Sequence, residues 1–118
     1  MTGCTIEYMS DWIIANRVST AFEGYSKEKI AQQILEGITN KTCCYIFGKD
    51  SLIGVCFGKP NNDTKEFFIT DILTTEHGVV KQMMKYFMTR WPNYFITGTH
   101  RTGRTVLFNN PSKLTERL

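Results

Sequence analysis

Residues 66–99 read EFFITDILT, TEHG, VVKQMMKYFMTR, WPN and YFITGT in succession: a run of β-formers, a polar turn, an amphipathic stretch, a break and a second β-former run. In Glu66–Thr74 the residues alternate, with Phe67, Ile69 and Asp71 on one face and Phe68, Thr70 and Ile72 on the other. That is the two-residue period of a strand. From Val79 the period changes. Val79, Val80, Met83, Met84, Phe87, Met88 and Trp91 recur at steps of one and three, lining one face of a helix. Lys81, Gln82, Lys85, Thr89 and Arg90 take the opposite face, and Pro92 ends the helix because it cannot continue one. Tyr94–Thr99 then returns to β-formers. Two strands joined through a helix must cross over, so this segment demands one parallel pair in its sheet.

Upstream, Thr42–Phe47 and Leu52–Phe57 flank the turn Gly48-Lys49-Asp50-Ser51 and read as an antiparallel hairpin. Gly54 inside the second strand predicts a bulge or a close backbone approach. Lys59-Pro60-Asn61-Asn62-Asp63-Thr64 reads as a loop. Before the hairpin lie two helices. The first is capped by Ser10 or Asp11, carries Ile13, Ile14, Val18, Ala21 and Phe22, and stops at Gly24. Ser26 caps the second, whose stripe is Ile30, Ala31, Ile34, Leu35 and Ile38, closing at Asn40. Cys4–Met9 reads as a short leading strand. Downstream, Arg101–Arg104 is a turn, Thr105–Phe108 a returning strand, and Ser112–Leu118 a short helix or tail. The expected order is β-α-α-β-β-β-α-β with a further hairpin arm. This is an α+β domain over 1–118: a mostly antiparallel mixed sheet, two N-terminal helices and one long crossover helix.

The composition bounds the function. At 118 residues, 42% hydrophobic and 21% charged, the chain is one globular domain, and intrinsic disorder is excluded. Its apolar runs, such as Ile13-Ile14-Ala15, are only a few residues long, far too short for a membrane-spanning helix. Met1-Thr2-Gly3-Cys4 has no basic start or apolar core, so a cytoplasmic location is expected. Cys4, Cys43, Cys44 and Cys56 show no C-x-x-C or zinc spacing, and are expected as buried, reduced thiols with no metal. Charge is uneven. From His77 onward Lys81, Lys85, Arg90, Arg101, Arg104, Lys113 and Arg117 face the single acid Glu116, a balance of +6 against −3 for residues 1–76. A chain so polarised can present its C-terminal third to phosphates or to an acidic protein.

The order of elements resembles the GNAT-type N-acyltransferase fold from about Cys4 to Phe108. The resemblance implies an acyl-CoA site where the strand before the long helix splays from the strand after it. The pyrophosphate would be held by amides at the helix N-terminus, here Leu73, Thr74, Thr75, His77, Gly78 and Val79. The family's Arg/Gln-x-x-Gly-x-Gly/Ala loop is replaced by Glu76-His77-Gly78-Val79-Val80, with one glycine and a carboxylate. Its tyrosine acid is replaced by Arg101-Thr102-Gly103-Arg104. The strand Ile69–Thr74 running into a helix and the closing Phe108-Asn109-Asn110-Pro111 also resemble small proteins of tailed bacteriophages. Some of those keep a degenerate GNAT-like fold without acyl transfer, as accessory proteins of the virion or of host takeover.

Asp71 is an acid on an apolar strand, so it must be paired or sit in a cleft; in an enzyme it would serve as a base, with His77 as the other candidate. Arg101 and Arg104 flank a glycine turn and, with Lys81 and Lys85, form the candidate phosphate or partner site. Tyr94 and Phe95 could add stacking surface for a single strand. No P-loop or nucleophile elbow is present. The expected function is a non-catalytic accessory protein binding a macromolecule through its basic C-terminal third, with no cofactor. An acyl-CoA-dependent N-acetyltransferase and a small nucleic-acid binder are the alternatives. The exposed hairpin edge leaves a homodimer open.

Overall fold

The structure, a computed structural model, describes residues 3–17, 22, 24–99 and 105–108, with the side chains of 3 and 4 excepted. The elements are α1 (Gly3–Asn16), α2 (Lys27–Asn40), β1 (Cys43–Phe47), β2 (Leu52–Asn61), β3 (Glu66–Thr74), α3 (Val79–Arg90), β4 (Phe95–Thr99) and β5 (Thr105–Leu107). The five strands form one sheet in chain order. Every neighbouring pair is antiparallel except β3–β4, the parallel pair that the crossover demands. The described residues thus form an α+β fold, with three helices on a mixed sheet.

Neighbouring residues of a strand face opposite sides, so the sheet divides two cores. Cys43, Val55, Phe57 and Leu73 pack with Met9 and Ile13 of α1 and with Ile30 and Ile34 of α2. Cys44, Cys56, Phe67, Ile69 and Ile96 pack with Val79, Met83, Met84 and Phe87 of α3. Cys43, Cys44 and Cys56 are free and buried, as expected. Burial in apolar surroundings pushes the Cys43 and Cys44 thiols up to about 12 and Cys56 well above its ordinary value.

Three readings need correction. Cys4–Met9 belongs to α1, not to a strand. Ile6, Met9, Ser10 and Ile13 fall at helical spacing, and the last three are fully buried. Ser10 therefore lies inside the helix, its hydroxyl donating to Ile6 O at 2.8 Å, and caps nothing. Asp11 instead accepts from Lys27 of α2 at 3.0 Å. α1 stops at Asn16, well before Gly24, and Arg17 donates to Phe22 O and Tyr25 O, tying down the connection. Val18 and Ala21, placed in this helix by the sequence reading, lie outside the described residues, as does the terminal segment 112–118.

The second correction concerns the loop at Lys59–Thr64, whose first three residues extend β2. β1 ends opposite Phe57, so Pro60 sits where β2 has a neighbour on one side only and proline's missing donor is tolerated. The turn follows instead at 62–65, where Asn61 Oδ1 accepts from the amides of Asp63 and Thr64. The third lies in β3. Gly58 pairs with Ile69 and Phe57 with Asp71, so Thr70 is an extra residue, a bulge whose hydroxyl donates to Phe57 O at 3.2 Å. The bulge moves Asp71 off the Phe67–Ile69 face and onto the side of Phe57.

Other expectations hold. The Ser26 side chain accepts from Lys29 N as the cap of α2. Gly54 is a close approach: a Cβ there would lie 2.5 Å from Val79 Cγ1. A second bulge in the β1–β2 pair falls at Ile53, whose carbonyl accepts from the amide of Thr75 at 3.0 Å and anchors the turn into α3.

Candidate functional site

α3 carries more apolar surface than the sheet covers. Val79, Met83, Met84 and Phe87 are buried against it, while Val80, one turn-edge further round, remains 37% exposed and Met88 is half-buried. Val80, Met84 and Met88 follow one another at four-residue spacing and line a groove of about 480 Å³, which Gly78, Lys81, Lys85 and Phe108 complete. Phe108 comes from the far side of the sheet's last hairpin, its amide donating to Ile96 O at 2.8 Å. Lys81 and Lys85 stand one turn apart along the groove. Both are exposed, and neither forms an ion pair among the described residues. The groove is therefore an apolar floor beside two exposed positive charges. Two of the sequence-derived partner residues, Lys81 and Lys85, are brought together here; Arg101 and Arg104 lie outside the described residues.

The α3 N-terminus is reached through Thr75, Glu76, His77 and Gly78, and Gly78 is the N-cap at φ +83°. Only glycine adopts that left-handed conformation without strain. No acidic residue falls in the first turn, because Glu76 precedes the cap; Glu76 and His77 are both exposed. The residues assigned to a cofactor do not converge through their side chains. Leu73 packs into the α1–α2 core and Val79 into the α3 core, on opposite faces of the sheet.

The parallel pairing that precedes this turn is short. β3 and β4 pair only at Glu66–Phe95, Phe67–Ile96 and Phe68–Thr97, and from Ile69 onward β3 has no described partner on its β4 side. The Thr97 hydroxyl, where pairing ends, is buried and has no hydrogen-bond partner among the described residues.

Asp71 and His77 are not brought together. Half-buried Asp71 lines a cleft of about 730 Å³ between α2 and the outer stretch of β2, with Tyr25, Glu36, Lys59 and Trp91 among its neighbours. His77 is not part of that cleft. Sequence reasoning expected Asp71 to be paired or in a cleft, and it lines one; it missed the face on which the cleft lies, because Thr70 is an extra residue and an alternating pattern gives no sign of where one is inserted. No family model matches the chain, and neither a curated protein nor a solved structure does.

Proposed function

We propose that this domain is a non-catalytic binding protein that docks an acidic, amphipathic segment of a protein partner against the exposed face of α3. One observation carries the reading: the groove along Val80, Met84, Met88 and Phe108 has an apolar floor and, at its side, two lysines without an ion pair among the described residues. A helix lays its apolar stripe into such a groove, and carboxylates beside the stripe meet Lys81 and Lys85. Methionines suit the role because their flexible thioethers adapt to the shape they receive. The separation of Asp71 from His77 supports the non-catalytic part of the reading. An accessory role in a bacteriophage, in the virion or in host takeover, is the setting that the small domain and its resemblance favour.

The test is calorimetric titration with a synthetic helical peptide that carries leucines on one face and glutamates beside them. Wild-type protein is expected to bind it. The Lys81→Glu, Lys85→Glu double variant should lose roughly tenfold or more in affinity, equivalent to ~1.4 kcal/mol. Equal affinity in the two proteins would refute the site. Tighter, steeply salt-dependent binding of a single-stranded oligonucleotide would favour the nucleic-acid alternative.

A second reading, acyl-CoA binding in a degenerate GNAT-like fold, is supported by the early end of β3–β4 pairing at Phe68–Thr97, where the Thr97 hydroxyl is buried with no partner among the described residues. Acetyl-CoA at about a hundred times its dissociation constant would add ~2.7 kcal/mol of stability. A melting temperature unchanged by acetyl-CoA is the outcome expected of the first reading.

A further inference from the structure

β1 is an edge of the sheet, paired on its β2 side alone among the described residues. Gly58 N–H donates to Thr42 O at 2.9 Å, which sets Cys44–Cys56 and Ile46–Gly54 as the hydrogen-bonded pairs of the β1–β2 ladder. The backbone N–H and C=O groups of Cys43, Tyr45 and Phe47 therefore point away from β2, and no described residue pairs with them. Such an edge is normally protected by a lysine, a proline, an inward charge or a bulge on the edge strand itself. Cys43-Cys44-Tyr45-Ile46-Phe47 has none of these; the extra residue of this ladder, Ile53, belongs to β2.

Side chains reinforce the point. Tyr45 is 37% exposed, Phe47 49% and Tyr8 of α1 41%. The three rings form one patch, with Phe47 stacked on Tyr8 at 6.1 Å and edge-on to Tyr45 at 6.0 Å. Tyr8 is fixed there by its hydroxyl, which accepts from Leu52 N at 3.2 Å. The patch borders the open backbone groups, so a strand added at this edge would cover both.

We propose that the occupant is a second copy of this chain, paired β1 to β1 in antiparallel sense about a two-fold axis at Tyr45. That register sets Tyr45 against its symmetry mate and Cys43 against Phe47, so all outward groups of both strands are satisfied. It also merges the two aromatic patches on one face. The paired residues are uncharged, so no like charges meet within the ladder; beyond its ends this register sets exposed Lys41 of each copy across from exposed Lys49 of the other, which weakens the joint. Area sets the strength. A whole ring offers about 150–250 Å², so three half-exposed rings supply roughly 250 Å² per copy. Even with the strand backbone added, the joint stays near or below the ~1,200 Å² lower end of stable interfaces. The dimer is therefore weak, forming at micromolar to millimolar concentration.

Sedimentation velocity from about 1 μM to about 1 mM reads the association directly. The mass is expected to rise from 13.6 kDa toward twice that value. Tyr45→Lys should abolish the rise, and Leu35→Lys, at an exposed position on α2, should leave it intact. Amide exchange of the wild-type protein gives a readout that needs no variant: the Cys43 and Tyr45 amides should slow as concentration increases. A mass of 13.6 kDa throughout, a dimer indifferent to Tyr45→Lys, or association without that protection would overturn the proposal.

Discussion

Gly58 shows how little room the sheet leaves at single positions. A Cβ built there would lie 2.0 Å from Phe67 Cε1, and the Phe67 ring is held between Phe87 at 4.7 Å and Trp91 at 5.2 Å. The ring cannot retreat, so Gly58→Ala should cost about 1–3 kcal/mol, read as a lower urea midpoint at unchanged slope. Thr97→Val is expected to go the other way. Its hydroxyl is buried without a described partner, so an apolar isostere should be neutral or stabilising by up to ~1 kcal/mol in a melting experiment. The thiols supply a pH dependence. Cys43 and Cys44 are held near 12 in the folded protein, against an unfolded value of about 8.5. Folded protein thus retains protons that unfolded protein releases. The stability they contribute is fully present below the unfolded value and is lost as pH rises toward 12, by about 1.4 kcal/mol per unit for each thiol. Urea midpoints should therefore be level near neutrality and fall steeply above about pH 9. At this scale the sequence was a good guide to Gly54, to the Ser26 cap and to the buried cysteines. It failed at Asp71, because the inserted Thr70 reverses the face of every residue beyond it and hydrophobic alternation carries no mark of the insertion.

At the level of elements, the crossover segment was legible because strand and helix each show an unbroken period there. α3 begins and ends as its apolar steps predict, and even its uncovered edge at Val80 and Met88 follows from a stripe wider than one sheet contact. The N-terminus was not legible in the same way. Six residues, Cys4–Met9, fit a short strand on their own, and only the burial of Ser10 and Ile13 on the same face as Met9 selects a helix. Pro60 misled for a different reason: whether a strand tolerates proline depends on its neighbour, and β1 is too short to reach it. The pairing pattern also orders the elements by local stability. β2 and β3 share a long ladder, whereas β4 meets β3 at three residue pairs and β5 is three residues long. Native-state amide exchange should find Val55–Phe57 and Leu73 the slowest amides and Thr105–Leu107 among the fastest. Uniform protection across all five strands would contradict this.

The whole molecule is polarised in shape as well as in charge. One face of the sheet is closed by α1 and α2; the other is covered by α3, whose far side presents an apolar groove and two lysines. The excess of basic residues after His77 was visible in the chain, but its meaning was not, since a charge count cannot tell a solvated face from one bordering apolar floor. On our proposal the fold turns part of that excess into a docking surface, by setting Lys81 and Lys85 beside the groove that Val80, Met84, Met88 and Phe108 line. An amide-resolved NMR titration with the acidic leucine-bearing peptide tests this most directly. Shifts are predicted at Val80, Lys81, Met84, Lys85, Met88 and Phe108, saturating together and vanishing in the Lys81→Glu, Lys85→Glu variant. Shifts confined to the end of the β3–β4 pairing or to the Asp71 cleft, or none at all, would contradict the account.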